Sequence, residues 1–126
     1  MTMQTEGMTH TSSLVVTEAH TAQAVGSGDL FVLSTPSMLA LMENAAMEAV
    51  APALAPNETT VGGHIDAIHL RPTPVGITVS ATARVTAHDG RKITFTITAQ
   101  TADGQLIGKA THTRFVIDRE RFMKGV

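Results

Sequence analysis

Residues 77–100 read ITVSATARVTAHDGRKITFTITAQ, and the alternation within them decides the fold. Ile77, Val79, Ala81, Ala83, Val85 and Ala87 take every second place, with Thr78, Ser80, Thr82, Arg84, Thr86 and His88 between them. A repeat of two belongs to a strand with one apolar and one polar face. Asp89-Gly90 then supplies a tight hairpin turn, and Ile93, Phe95, Ile97 and Ala99 alternate with Thr94, Thr96, Thr98 and Gln100. Asp103-Gly104 marks a second hairpin, leading into a strand over 106–117. Upstream, 62–70 reads as a further strand, cut from the first by Arg71-Pro72-Thr73-Pro74-Val75-Gly76.

Before these strands the period changes from 2 to 3.6. The spacing predicts one long helix over 36–50, with Ser34 or Thr35 placed to cap it and Pro36 suited to its first turn. Pro52 and Pro56 stop it near Val50 or Leu54. Ahead of the helix lie a weakly patterned β-tending stretch (14–24), the break Gly26-Ser27-Gly28-Asp29 and the short apolar run Leu30-Phe31-Val32-Leu33. Residues 1–13 are polar and without period, which predicts a disordered leader and a single domain over 14–126. The order is strand, helix, then about four antiparallel strands. That is an α+β chain in which one long central helix covers a curved sheet of about five strands. A single helix cannot seal such a sheet, so association through an edge strand or the remaining face is expected.

Composition narrows the function classes. The chain has 126 residues, 43% of them apolar and 16% charged, as in an ordinary globular domain. It has no cysteine, which excludes disulfides, thiolate catalysis and cysteine-ligated zinc. No apolar run approaches the ~20 residues of a membrane span, and the polar start does not read as a signal peptide, so no membrane partner and a cytoplasmic location are expected. All nine bases lie from Arg71 onward, whereas seven of the eleven acids precede it. The C-terminal half is thus a candidate positive rim for an anionic ligand. Without basic runs interleaved with aromatics, no nucleic-acid partner is expected.

Three residues stand out as chemistry. Glu43 lies within about 60° of Leu39, Ala46, Met47 and Val50 on a helical projection, where another apolar side chain would be ordinary. It reads either as a carboxylate snorkelling out or pairing with an arginine of the sheet, or as a general base or nucleophile tuned by burial. His69 shares a strand face with Ile65 and Ala67, the face a covering helix meets; His64 and Asp66 point the other way, which argues against a metal site. Thr35 reads first as a helix cap. Eight helical residues, about 12 Å of rise, separate it from Glu43, so the two cannot bond within one chain. Gly62 and Gly63 permit close backbone approach to a substrate carbonyl, or simply turn the chain.

Thr35, Leu41-Met42-Glu43-Asn44-Ala45, Gly62, His69 and Pro74-Val75-Gly76-Ile77-Thr78-Val79, then Asp89-Gly90-Arg91, Gly108, Thr111-His112 and Arg114, resemble the fluoroacetyl-CoA thioesterase-like family of hotdog-fold proteins. The resemblance covers roughly 33–122. It implies that Thr35, Glu43 and His69 are catalytic and that Gly62 and Arg114 lie at the substrate. The segment before the helix, an aromatic-lined lid in the family's fluoroacetyl specialist, here offers Phe31 as its aromatic, a further substrate-binding candidate. The resemblance also implies a homodimer or dimer of dimers with active sites between subunits, and hydrolysis of a short acyl-CoA with no cofactor, CoA being part of the substrate. A non-catalytic acyl-CoA binding module on the same fold is the alternative.

Overall fold

The structure, a computed structural model, describes residues 4–126. Five strands, β1 (Thr9–Val15), β2 (Glu58–His69), β3 (Thr78–Asp89), β4 (Lys92–Thr101) and β5 (Leu106–Asp118), form one antiparallel sheet in the order β1-β3-β4-β5-β2. Two short helices, α1 (Ala22–Val25) and α3 (Arg119–Lys124), flank the long α2 (Thr35–Val50).

One face of the sheet packs on α2. Met38, Leu41, Met42, Ala45, Ala46, Ala49 and Val50 of the helix are buried against Val79, Ala81, Ala83 and Val85 of β3 and Ile93, Phe95, Ile97 and Ala99 of β4. The alternation read from the sequence is what turns these residues inward. The two ends of the β3 series are exceptions. Ile77 precedes the strand and is exposed, and a register shift between Val85 and Ala87 takes Ala87 out of the core. An extra residue in one strand offsets the faces beyond it.

Helix α2 begins where its cap predicts. Ser34, rather than Thr35, is the N-cap: its hydroxyl accepts the Ser37 N–H at 3.1 Å. The regular helix ends at Val50 and passes into a 3₁₀ turn over Ala51–Ala53, where Pro52 cannot continue the α-helical ladder.

The leader expected over 1–13 is corrected by β1, which pairs with β3 from Thr9↔Arg84 onward. Thr5 is already fully buried, with its N–H donated to His88 Nδ1 at 3.1 Å; residues 1–3 of that leader lie outside the described residues. The strand escaped notice because its outward face is polar and its inward face sets only Leu14 against the core, beside Ser12. Thr11 bonds Thr82 and Ser13 bonds Ser80 on the open face, and the buried Ser12 donates to Asn44 Oδ1 of α2 at 2.7 Å. Ladder bonds, hydroxyl pairs and one inward leucine hold it, so no apolar period exists to be read. The β-tending reading of 14–24 holds only to Val15; a 3₁₀ turn over Glu18–His20 and α1 follow.

Candidate active site

Strands β2 and β5 carry most of the polar side chains that meet α2. β2 starts at Glu58, four residues before the expected 62, and its register against β5 slips between Gly62 and His64, leaving Gly63 without a partner. Before the slip Gly62 faces the helix; after it Ile65, Ala67 and His69 do, while His64 and Asp66 are exposed. The paired glycines are therefore a β-bulge, and the bulge sets which residues of β2 look at the site.

At the first turn of α2, Thr35 Oγ1 and His69 Nδ1 are hydrogen-bonded at 2.9 Å. Because Ser34 does the capping, the Thr35 hydroxyl is free for this bond. Burial pushes the His69 pKa below its ordinary value, and the Arg71 backbone offsets this only in part. His69 is consequently a neutral imidazole near pH 7. Its Nε2 is buried, and the Arg71 backbone lies against the ring. A cavity of about 310 Å³ opens here, lined by Thr35, His69, Arg71, Val32 and Ser27 among others.

Two turns further along the helix stands a second group. Glu43 Oε2 lies 3.5 Å from Arg114 Nη1 and 3.9 Å from His112 Nε2. Its side chain is 43% exposed, so it is paired and open rather than sealed in hydrocarbon. Arg114 is buried and held on every side: Nε donates to Thr60 Oγ1 at 2.8 Å, Nη2 to the Thr60 carbonyl at 3.0 Å, and Nη1 to His112 Nε2 at 3.2 Å. Burial lowers its pKa and the Glu43 carboxylate opposes that fall. Gly62 completes the group. A Cβ there would sit 2.6 Å from Glu43 Oε2 and 3.4 Å from both Arg114 Nη1 and His112 Cε1, so only glycine leaves the carboxylate in place.

The sequence-predicted residues therefore fall into two clusters, not one. Thr35 joins His69, and Glu43 joins Arg114 and Gly62; Glu43 and His69, expected to act together, do not bond within one chain. Phe31 is 57% exposed and lines no part of the cavity beside His69, where its neighbour Val32 does. His112 and Thr60 were missed as site residues. The signal was present for His112: counting by twos from Ala110 puts His112 and Arg114 on the face that carries Val116. Thr60 could not be found that way, because the bulge reverses the parity of β2.

A long helix lying across one antiparallel five-stranded sheet, with polar side chains from both at its edge, is the architecture of a hotdog-fold protein. A hot-dog-like protein from Thermanaerovibrio acidaminovorans superposes with a TM-score of 0.83 at 20% identity, over 94% of this chain and 87% of that one. The family described as fluoroacetyl-CoA-specific thioesterase, FlK, matches residues 16–120, and the chain belongs to that family. It is 38% identical over 91 residues to the fluoroacetyl-CoA thioesterase of Streptantibioticus cattleyicolor, a match spanning 72% of this chain and 65% of that protein. A threonine-to-serine variant of FlK in complex with acetyl-CoA superposes with a TM-score of 0.89 at 31% identity, covering 95% and 94% of the two chains.

Proposed function

We propose that the protein is a cytoplasmic acyl-CoA thioesterase that hydrolyses a short acyl-CoA to the free acid and CoA, working as a homodimer. The observation that carries this reading is the pair of clusters on α2: a carboxylate beside a buried guanidinium, and a hydroxyl bonded to an imidazole. Family membership supplies the reaction class, and the acetyl-CoA complex of a relative supplies the kind of ligand.

In this reading Glu43 attacks the thioester carbonyl or takes a proton from the water that does. The carbonyl oxygen gathers negative charge as the tetrahedral centre forms, and the backbone N–H groups at the Gly62–Gly63 bulge stabilise it. Collapse breaks the C–S bond and expels the CoA thiolate; where water attacks, the proton it gives to Glu43 ends on that thiolate, and where Glu43 attacks, water then cleaves the acyl–Glu43 anhydride to the free acid and restores the carboxylate. Thr35 orients the substrate, and His69, hydrogen-bonded to it, assists proton transfer to the departing thiolate. Arg71, at the cavity of Thr35 and His69, and other bases of the C-terminal half meet the phosphates of CoA.

The 12 Å of helix between the clusters supports an active site shared between two subunits, with Thr35–His69 of one facing Glu43–Arg114 of the other. Strand β2 is an edge of the sheet and is available for that contact. The cytoplasmic location rests on composition; among the described residues no helix is long and apolar enough to cross a membrane.

Thiol release measured across acyl-CoAs of increasing chain length tests the proposal. Turnover concentrated on the shortest acyl groups is expected. Calorimetric binding of acyl-CoAs without turnover would replace the enzyme with a binding module.

A further inference from the structure

His112 is the most buried titratable side chain in the structure's described residues that the proposed reaction leaves unused, at 1% exposure, and its two ring nitrogens face unlike partners. Nδ1 lies 2.6 Å from the His64 carbonyl oxygen, which can only accept, so Nδ1 carries the proton. Nε2 lies 3.2 Å from Arg114 Nη1, which can only donate, so Nε2 must offer its lone pair. A carbonyl on one side and a guanidinium on the other thereby select a single state of the ring: neutral, with its hydrogen on Nδ1.

We propose that His112 is a positioning residue for Glu43, acting through Arg114: its Nε2 lone pair holds one arm of the guanidinium so that the same arm faces the Glu43 carboxylate. The inference rests on the thioesterase reading for the role of Glu43, and on geometry alone for the hold on Arg114. The two Thr60 bonds hold one edge of the rigid guanidinium plane. The His112 bond at Nη1, off that edge, keeps the plane from hinging about it and so holds Nη1 toward Glu43. The groups facing His112 are Arg114 on its own strand, Glu43 of α2, and the backbone and ring of His64 of β2, with the Phe95 ring of β4 at 5.9 Å between centroids. Burial, then the Arg114 charge, favour the neutral ring, while the His64 carbonyl and Glu43 oppose them; the balance lowers its pKa.

Protonation of Nε2 would convert it from an acceptor for Arg114 into a donor aimed at Glu43, 3.9 Å away. The carboxylate would then be shared between the imidazolium and the guanidinium, and the His112 hold on Nη1 would be lost. The bulge contributes as well. The carbonyl that fixes the tautomer belongs to His64, the residue at which the β2 register resumes, so the same irregularity that exposes Gly62 to Glu43 supplies the acceptor for Nδ1.

The test pairs kinetics with spectroscopy on the full-length protein. His112→Gln keeps an acceptor for Arg114 and a donor for the His64 carbonyl, whereas His112→Phe keeps neither. Expected are a fall in kcat of about tenfold or more for His112→Phe with KM nearly unchanged, and substantial recovery in His112→Gln, each normalised to folded protein. Ring ¹⁵N spectra of the wild type near pH 7 should show the Nδ1–H tautomer, with Nε2 shifts that respond to Arg114→Lys. Wild-type kcat in His112→Phe, or a ring protonated on Nε2, would overturn the proposal. If the wild type turns over no acyl-CoA, the thioesterase reading fails on its own, and the spectra still decide whether His112 holds Arg114.

Discussion

Replacing Gly62 by alanine would put a carbon 2.6 Å from Glu43 Oε2, which no real contact tolerates, so the carboxylate must swing away. Its side chain is flexible and partly exposed, and little of the fold depends on where it rests. Gly62→Ala is therefore expected to lower kcat by about tenfold or more while shifting the melting temperature only slightly, a combination read from kinetics and thermal denaturation on one preparation. The two histidines whose pKa values burial depresses make a prediction about pH. His69 and His112 bind protons less readily folded than unfolded, so their contribution to stability is complete above the ordinary value of 6.5 and is lost as pH falls through that value toward their folded pKa values. The melting temperature should drop between pH 7.5 and 5.5, and His112→Gln should flatten that slope.

Within α2, adjacent hydroxyls have different jobs. Ser34 is buried and caps the helix, whereas Thr35 bonds His69. Ser34→Ala is expected to cost about 1 kcal/mol of stability. Thr35→Ala should leave stability within error and reduce turnover instead. Chemical denaturation beside a thiol-release assay separates the two outcomes. The sequence offered either residue as the cap, and nothing in a linear pattern distinguishes neighbours that differ by which one is left with a partner across the sheet. The same limit explains the rest of what was hidden. Strands β3, β4 and β5 were legible because apolar alternation is a direct image of one buried face. β1 turns only Leu14 toward the core beside the polar Ser12, and the bulge in β2 changes parity without changing composition. Glu43 was legible as an anomaly on an apolar stripe, and pairing with a sheet arginine was one of its two readings; that it should be Arg114, shared with His112, needed the β2–β5 register.

For the whole molecule, the separation of the two clusters carries the argument. If Thr35 and Glu43 act on one thioester from different subunits, two inactive variants can repair one another. Mixing Thr35→Ala with Glu43→Gln through unfolding and refolding should restore activity to about one quarter of the wild type, since half the dimers are mixed and each carries one intact site of two. No recovery, from variants shown to exchange subunits, would place both clusters in a site built from a single chain. Sedimentation of the wild type gives the complementary result: a dimer is expected at assay concentrations, through contacts that include β2. The acidic N-terminal and basic C-terminal halves belong to this scale too, because the bases lie from Arg71 to Lys124 and Arg71 is the one that lines the cavity of Thr35 and His69.

The central claim is that the Glu43 carboxylate, fixed by Arg114, performs the chemistry on an acyl-CoA. Glu43→Gln keeps its size and removes its charge, and steady-state thiol release from the best short acyl-CoA compares it directly with the wild type. A loss of about 100-fold or more in kcat, at matched folded content, is the predicted result; undiminished turnover by the variant would contradict the account.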